Sequence, residues 1–232
     1  MQRIRNSQHS NKFIVERAHR HLDNFIKISS QERQVIKMVW IPSVEVENSQ
    51  GIREISLATR SLSRRSVFLN GEINQETANA IVMQLMYLDG ESDEDIRLYI
   101  NSSGGEVNSG LLIYDTLQFM KSPVHIYCMG MAASMAAVIL AGGQKGRRYI
   151  LPHSKTMIHE PLISRGMGGS ATSIKNISDS ILETKKILNG ILAKHTGKTV
   201  EEIDEATAFD HYMNAEESVA FGLCDKVITS FS

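Results

Sequence analysis

Residues 96–143 are IRLYINSSGGEVNSGLLIYDTLQFMKSPVHIYCMGMAASMAAVILAGG, the stretch that decides the fold class. It contains two short apolar runs, and each is followed by a segment with helical spacing. IRLYIN predicts a strand that ends in a loop at 102–105, and PVHIYCMG predicts a second strand. Strands that alternate with helices of about ten to fifteen residues pair in parallel. The stretch therefore predicts an α/β protein whose sheet is covered on both faces.

The same alternation continues on both sides of this stretch. Further strands are predicted at 66–71, 146–151, 156–162 and 223–229, and helices at 74–88 and 170–197. Two short helices are expected to begin after Thr199 and Asn214, each with an acidic residue three positions later, as a capping box requires. The chain is therefore expected to hold one α/β domain at 66–232.

The N-terminal part of the chain differs from the rest. Residues 1–40 carry eight Lys/Arg and three Asp/Glu, whereas the remainder has a net charge of −6. We interpret 1–40 as an N-terminal extension or propeptide. An organelle transit peptide is the alternative, and the acidic residues Glu16, Asp23 and Glu32 argue against it. Residues 41–65 alternate apolar and polar side chains, which predicts a hairpin or a mobile axial loop.

The composition excludes several classes of protein. A net charge of −1 argues against nucleic acid or an anionic membrane as a partner. The sequence contains no run of 18 or more apolar residues, so it predicts no membrane span. The two cysteines form no CxxC pair, and no HxxxH spacing occurs, so we expect neither a metal site nor a cofactor. A reduced, intracellular setting is expected from the cysteines; the family resemblance described below implies a cytoplasm of the bacterial type, with an organelle stroma or matrix as the alternative.

Three predicted strand ends carry chemically useful residues, since ligands gather at the carboxyl ends of such strands. Gly104 and Gly105 would let a backbone approach a ligand, although a plain strand-to-helix turn is the favoured interpretation of this loop taken alone. Ser134 is expected within the first turn of a helix, where the N–H groups lack partners and favour negative charge. Taken alone, a packed helix with a satisfied hydroxyl remains the simpler explanation. It is not a GxSxG elbow, because Ala136 occupies the second glycine position.

The third strand end holds a histidine. His159 closes an apolar run, and Pro161 prevents that strand from continuing as a central ladder. A neutral imidazole there could act as a general base. A lone histidine is more often structural, and the chain has eight.

Two blocks of the sequence resemble the proteolytic subunits of the Clp protease, the ClpP family. They are LYINSSGGEVNSGLLIYDTLQFMKSPVHIYCMGMAASMAAVILAGGQKGRRYILPHSKTMIHEPL and HTGKTVEEID, and the likeness runs from about Ile41 to Thr229. It implies the ClpP/crotonase-like fold of repeated β-β-α units, with a protruding handle helix at about 166–196. It also implies a serine endopeptidase that hydrolyses unfolded proteins through an acyl-enzyme.

The resemblance assigns roles to particular positions, including Asp210, which spacing alone does not select. It implies the catalytic residues Ser134, His159 and Asp210, and an oxyanion hole made by Gly105 and Met135. A substrate would bind as an added strand at Gly104, Val107, Pro161 and Leu162, and a partner would dock at Tyr99 and Phe119. The implied assembly is two stacked seven-membered rings, served by an AAA+ ATPase of the ClpX, ClpA or ClpC type.

The sequence departs from the family pattern in three places, at four residues. Ser103 replaces a proline beside the oxyanion hole, Arg97 replaces an apolar docking residue, and Ala208 and Phe209 replace an ion pair between rings. These changes suggest a divergent paralogue that works in mixed rings with a second ClpP subunit. A catalytically idle ring subunit is one alternative function. An acyl-CoA enzyme of the crotonase type is the other.

Overall fold

The computed structural model describes residues 42–48, 51–162 and 169–231. Contacts divide the chain into two units, Met1–Ile41 and Pro42–Ser232, and the description below concerns the second. The predicted extension at 1–40 therefore lies outside the described residues.

The second unit is built on a mostly parallel β-sheet. Its strands are β3 (Ser66–Ile73), β4 (Ile96–Gly105), β5 (Val124–Ala133), β6 (Arg148–Ile150), β7 (Lys155–Ile158), β8 (His211–Met213) and β9 (Lys226–Val227). Strands β3, β4, β5, β6 and β9 are neighbours in that order and run parallel, as predicted. Strand β7 also pairs in parallel with β5, whereas β8 pairs antiparallel with β7. The sequence did not predict β8, because three residues are too few to show a periodicity.

The long strands bend and change partners. The first half of β5 pairs with β6 and the second half with β7, and Gly130, with φ +90°, separates the halves. Strand β4 shifts register between Ile100 and Ser102. Each long strand thus supplies two segments before a helix, as the β-β-α units require. The predicted loop at 102–105 is wrong, since these residues continue β4 in its second segment.

Helices cover the sheet, and the core lies between them. They are α2 (Gln75–Glu91), α3 (Val107–Phe119), α4 (Met135–Ala141), α5 (Ala171–Thr196), α6 (Val200–Thr207) and α7 (Ala215–Phe221). Every residue of α4 is buried, so its apolar side chains form the centre of the core. Helix α5 ends at Gly197, whose φ of +79° suits glycine. The capping boxes predicted at Thr199 and Asn214 are both present.

The segment before β3 forms a small separate sheet. Strands β1 (Ser43–Asn48) and β2 (Gly51–Ser56) pair antiparallel, and helix α1 (Leu57–Leu62) follows them. The antiparallel pairing of β1 with β2 agrees with the hairpin alternative for this region, whereas the helix at Leu57–Leu62 was not predicted. Within the residues described, none of the helices has the length and apolarity needed to cross a membrane.

Candidate active site

Ser134 occupies a strained turn between a strand and a helix. It follows β5 directly and is the N-cap of α4, with φ 53° and ψ −123°. We expected it in the first helical turn, and the structure places it one position earlier. A non-glycine residue in this region costs on the order of 1–3 kcal/mol. The Ser134 side chain is half-buried, so the turn leaves part of it open to solvent, and a serine nucleophile needs such access.

His159 lies within hydrogen-bonding distance of this serine. Its Nε2 is 2.9 Å from Ser134 Oγ. The pairing of β5 with β7 causes this approach, because Ala133 is opposite Met157 and both strands end shortly afterwards. The Ser134 N–H also donates to the Met157 carbonyl at 2.8 Å, which fixes the turn. The imidazole is largely buried, with 14% of its side chain exposed.

Asp210 lies next to His159, although the two side chains are farther apart than Ser134 and His159 are. Its Oδ1 is 3.6 Å from His159 Nδ1, beyond ordinary hydrogen-bond length, and 57% of its side chain is exposed. The position of Asp210 follows from β8, which begins at the next residue and pairs His211 with Ile158. The short strand that the sequence did not reveal is therefore what brings the carboxylate to the histidine.

The two glycines of β4 pack too closely for any side chain. A Cβ on Gly104 would lie 2.7 Å from the Cβ of Ser134 and 3.0 Å from the amide nitrogen of Met135. A Cβ on Gly105 would clash with the Ile73 carbonyl oxygen. Met135 is the first residue of α4, so its N–H has no partner within the helix. Gly105 and Met135 both line the same cleft as Ser134.

That cleft has a volume of about 260 Å³. Three of the four predicted substrate-binding residues line it, namely Val107, Pro161 and Leu162, while Gly104 packs against Ser134. Its apolar lining includes Val138, Met157, Leu188 and Leu192. The arrangement can hold an extended chain with an apolar side chain inserted beside the hydroxyl.

Asn189 in this cleft is a residue that the sequence reasoning missed. It is only 3% exposed, and its Nδ2 donates to Asp204 Oδ1 at 3.1 Å. The available signal was a polar residue between Leu188 and Leu192, on the buried stripe of a helix.

The two predicted docking residues lie on different elements. Tyr99 of β4 stacks between Phe68 and Tyr127, with ring centroids 4.9 and 5.1 Å away. Phe119 is the last residue of α3 and is 86% exposed. Both offer aromatic surface, and their role in docking stays a prediction.

The described part of the chain offers no cluster of metal ligands. It contains no group of three or more His, Cys, Asp or Glu side chains placed to hold an ion. Cys128 and Cys224 are free and buried. Burial raises the pKa of each thiol to about 12.

The fold and the cleft together define a class of protein. An α/β sheet of β-β-α units holds a serine and a histidine in contact at its strand ends, an arrangement that serine hydrolases use. A sequence model of the Clp protease family, described as Clp protease, matches residues 49–231. The chain belongs to the Clp protease family, which confirms the resemblance and supports a peptidase.

Proposed function

We propose that this chain is a proteolytic subunit of a Clp protease and a serine endopeptidase. The observation that carries the proposal is the 2.9 Å contact between Ser134 Oγ and His159 Nε2 at the edge of an apolar cleft. Ser134 is the nucleophile, His159 the general base, and Asp210 the group that orients the imidazole. The family match favours this peptidase over the acyl-CoA alternative.

The reaction follows serine-protease chemistry. His159 Nε2 accepts the proton of Ser134 as Oγ attacks the scissile carbonyl carbon. The tetrahedral oxyanion accepts hydrogen bonds from the N–H groups of Gly105 and Met135. His159 then donates the proton to the leaving amine, and an acyl-enzyme remains on Ser134. A water molecule, deprotonated by His159, hydrolyses that ester and restores the hydroxyl.

The substrate is an unfolded polypeptide bound in extended form. Val107 on one side of the cleft, and Pro161 and Leu162 on the other, would flank it as an added strand. Recognition through backbone hydrogen bonds tolerates many sequences. Gly104 contributes indirectly, because its missing side chain lets β4 approach the serine turn.

The proposed assembly is two stacked seven-membered rings that enclose the sites. Helix α5 is the handle, and its exposed apolar residues would pack in the assembly: Ile174, Ile177, Leu182 and Ile187. A Clp ATPase would deliver substrates and dock where Tyr99 and Phe119 present aromatic surface. We place this complex in a reducing cytoplasm of the bacterial type.

Hydrolysis of a short fluorogenic peptide tests the proposal. The wild-type protein should cleave the peptide without ATP, and Ser134→Ala should lose this cleavage. Equal cleavage by both proteins would refute the assignment of Ser134.

A second candidate function is a ring subunit that is idle by itself and works in mixed rings. Two observations favour it: Asp210 is exposed and 3.6 Å from His159, and its neighbour Phe209 is 86% exposed. Native mass spectrometry and peptide assays, on the chain alone and mixed with a second ClpP subunit, would distinguish the two. Activity of a stable double ring of this chain alone would exclude the second candidate.

A further inference from the structure

Lys185 of the handle helix makes two ion pairs with segments that adjoin the site. Its Nζ is 3.0 Å from Glu160 Oε2 and 2.8 Å from Asp204 Oδ1. Glu160 follows His159 directly, and Asp204 lies on α6, which leads to Asp210. The hydrogen bonds to Asp204 and then Glu160 raise the pKa of Lys185, so the bridging ammonium stays charged. The lysine side chain is 22% exposed and is thus partly shielded from solvent.

A backbone contact joins the same segments. The Glu160 N–H donates to the Thr207 carbonyl at 2.8 Å, and Thr207 is the last residue of α6. Asp204 also accepts a hydrogen bond from Asn189, one turn along α5 from Lys185. The histidine segment and the helix before the aspartate are therefore held to each other and to α5.

This arrangement matters because β7 ends before His159. Beyond Ile158 the chain leaves the sheet, and Pro161 cannot donate to a strand ladder. Past the end of β7, His159 is therefore held in place through its neighbour Glu160, which contacts Thr207 and Lys185. Asp210 likewise lies between α6 and β8, with its side chain largely in solvent.

We propose that Lys185 is a positioning residue, which sets the contact between His159 and Asp210 by bridging Glu160 and Asp204. It touches neither substrate nor reacting atoms. The inference rests on the proposed function, since it assigns Lys185 a role in the orientation of His159, the general base that deprotonates Ser134.

The test compares the rate at which a fluorophosphonate labels the assembled protein. Lys185→Met should label about tenfold more slowly, since small misplacements of catalytic groups are costly. Lys185→Arg should recover most of the rate, because a guanidinium can serve both carboxylates. Lys175→Met is the matched control, because it removes an exposed ion pair with Asp179 on the same helix. It should label at the wild-type rate.

A double-mutant cycle separates positioning from general destabilisation. In an Asp210→Ala background, Lys185→Met should slow labelling little further, because the contact it supports is already gone. A full tenfold loss in that background, or no loss in the single variant, would overturn the proposal.

A crystal structure of Lys185→Met provides a readout that does not need activity. We expect Glu160 released from α5 and a distance between His159 Nδ1 and Asp210 Oδ1 longer than in the wild type. An unchanged distance would contradict the inference even if the proposed peptidase activity failed for other reasons. Failure of the proposed function would instead appear as undiminished labelling of Ser134→Ala.

Discussion

Gly104 lies directly against Ser134, since a Cβ on the glycine would stand 2.7 Å from the serine Cβ and 2.6 Å from the Ala133 carbonyl oxygen. The φ of Gly104 is +90°, which also disfavours a side chain. The conformation of the Ser134 turn therefore requires a glycine at position 104, in the second segment of β4.

Substitution of this glycine should disable the site. Gly104→Ala is expected to displace the Ser134 turn and to lower peptide cleavage at least about 100-fold. The control is Gly90→Ala on α2, where a Cβ meets nothing within 4 Å. It should keep full activity and gain about 0.5–1 kcal/mol in the free energy of unfolding. Retained activity in Gly104→Ala would contradict the close packing described.

Loss of the histidine should cost more than loss of the aspartate. His159 is 2.9 Å from Ser134 Oγ, whereas Asp210 reaches His159 only at 3.6 Å and is half exposed. We expect Asp210→Ala to retain about tenfold to 100-fold more peptidase activity than His159→Ala. Steady-state kcat/KM for a short peptide measures this, and equal losses would show a tighter triad in the working protein.

Asp225 should make the stability of the protein sensitive to acid. Burial alone raises the pKa of its carboxyl, but hydrogen bonds from Arg148 and Gly146, and the charge of Arg148, lower the pKa overall. Arg148 is 2% exposed, and its Nη2 is 2.6 Å from Asp225 Oδ1. Such a carboxyl stabilises the fold fully above its unfolded pKa of about 4 and loses this effect as pH falls through the folded pKa.

Asp225→Asn should therefore be less stable at pH 7 by about 3 kcal/mol, because it leaves the Arg148 charge buried without its partner. Below about pH 4 the difference from the wild type should shrink. Urea unfolding at several pH values measures both effects. Asp179→Asn, which removes an exposed pair with Lys175, should change stability by less than about 1 kcal/mol. A constant difference across pH would count against the account of Asp225.

The aromatic surface around Tyr99 should bind the ATPase and take no part in peptide-bond hydrolysis. Tyr99→Ala is expected to weaken degradation of an unfolded protein with a Clp ATPase and to leave short-peptide cleavage unchanged. Tyr87→Ala, at an exposed tyrosine of α2, is the control. An equal loss of both activities in Tyr99→Ala would mean that Tyr99 supports the fold instead of docking.

Much of the fold followed from local patterns, because apolar runs and capping boxes are local signals. The parallel strands, the long helix ending at Gly197 and the caps at Thr199 and Asn214 were all predictable in this way. The second segments of β4 and β5 were not, since register shifts arise from neighbouring strands. The backbone conformation of Ser134 likewise depends on the hydrogen bond from its N–H to the Met157 carbonyl. This bond joins residues that are distant in the sequence and forms only in the folded protein.

The site was partly predictable. The positions of Ser134 and His159 at strand ends made them candidates, and the resemblance joined them to Asp210. Spacing could not select Asp210, because β8 brings it to the site by an antiparallel pairing that three residues do not reveal. Lys185 was missed for a similar reason, since its partners lie on two other segments.

Covalent labelling shows whether Ser134 is the nucleophile of this protein. The assembled protein is treated with a fluorophosphonate, digested, and examined by mass spectrometry to locate the adduct. We expect one adduct, on Ser134, which is absent from Ser134→Ala and strongly reduced in His159→Ala. An adduct at another residue, or equal labelling of Ser134→Ala, would contradict the claim that Ser134 is the nucleophile.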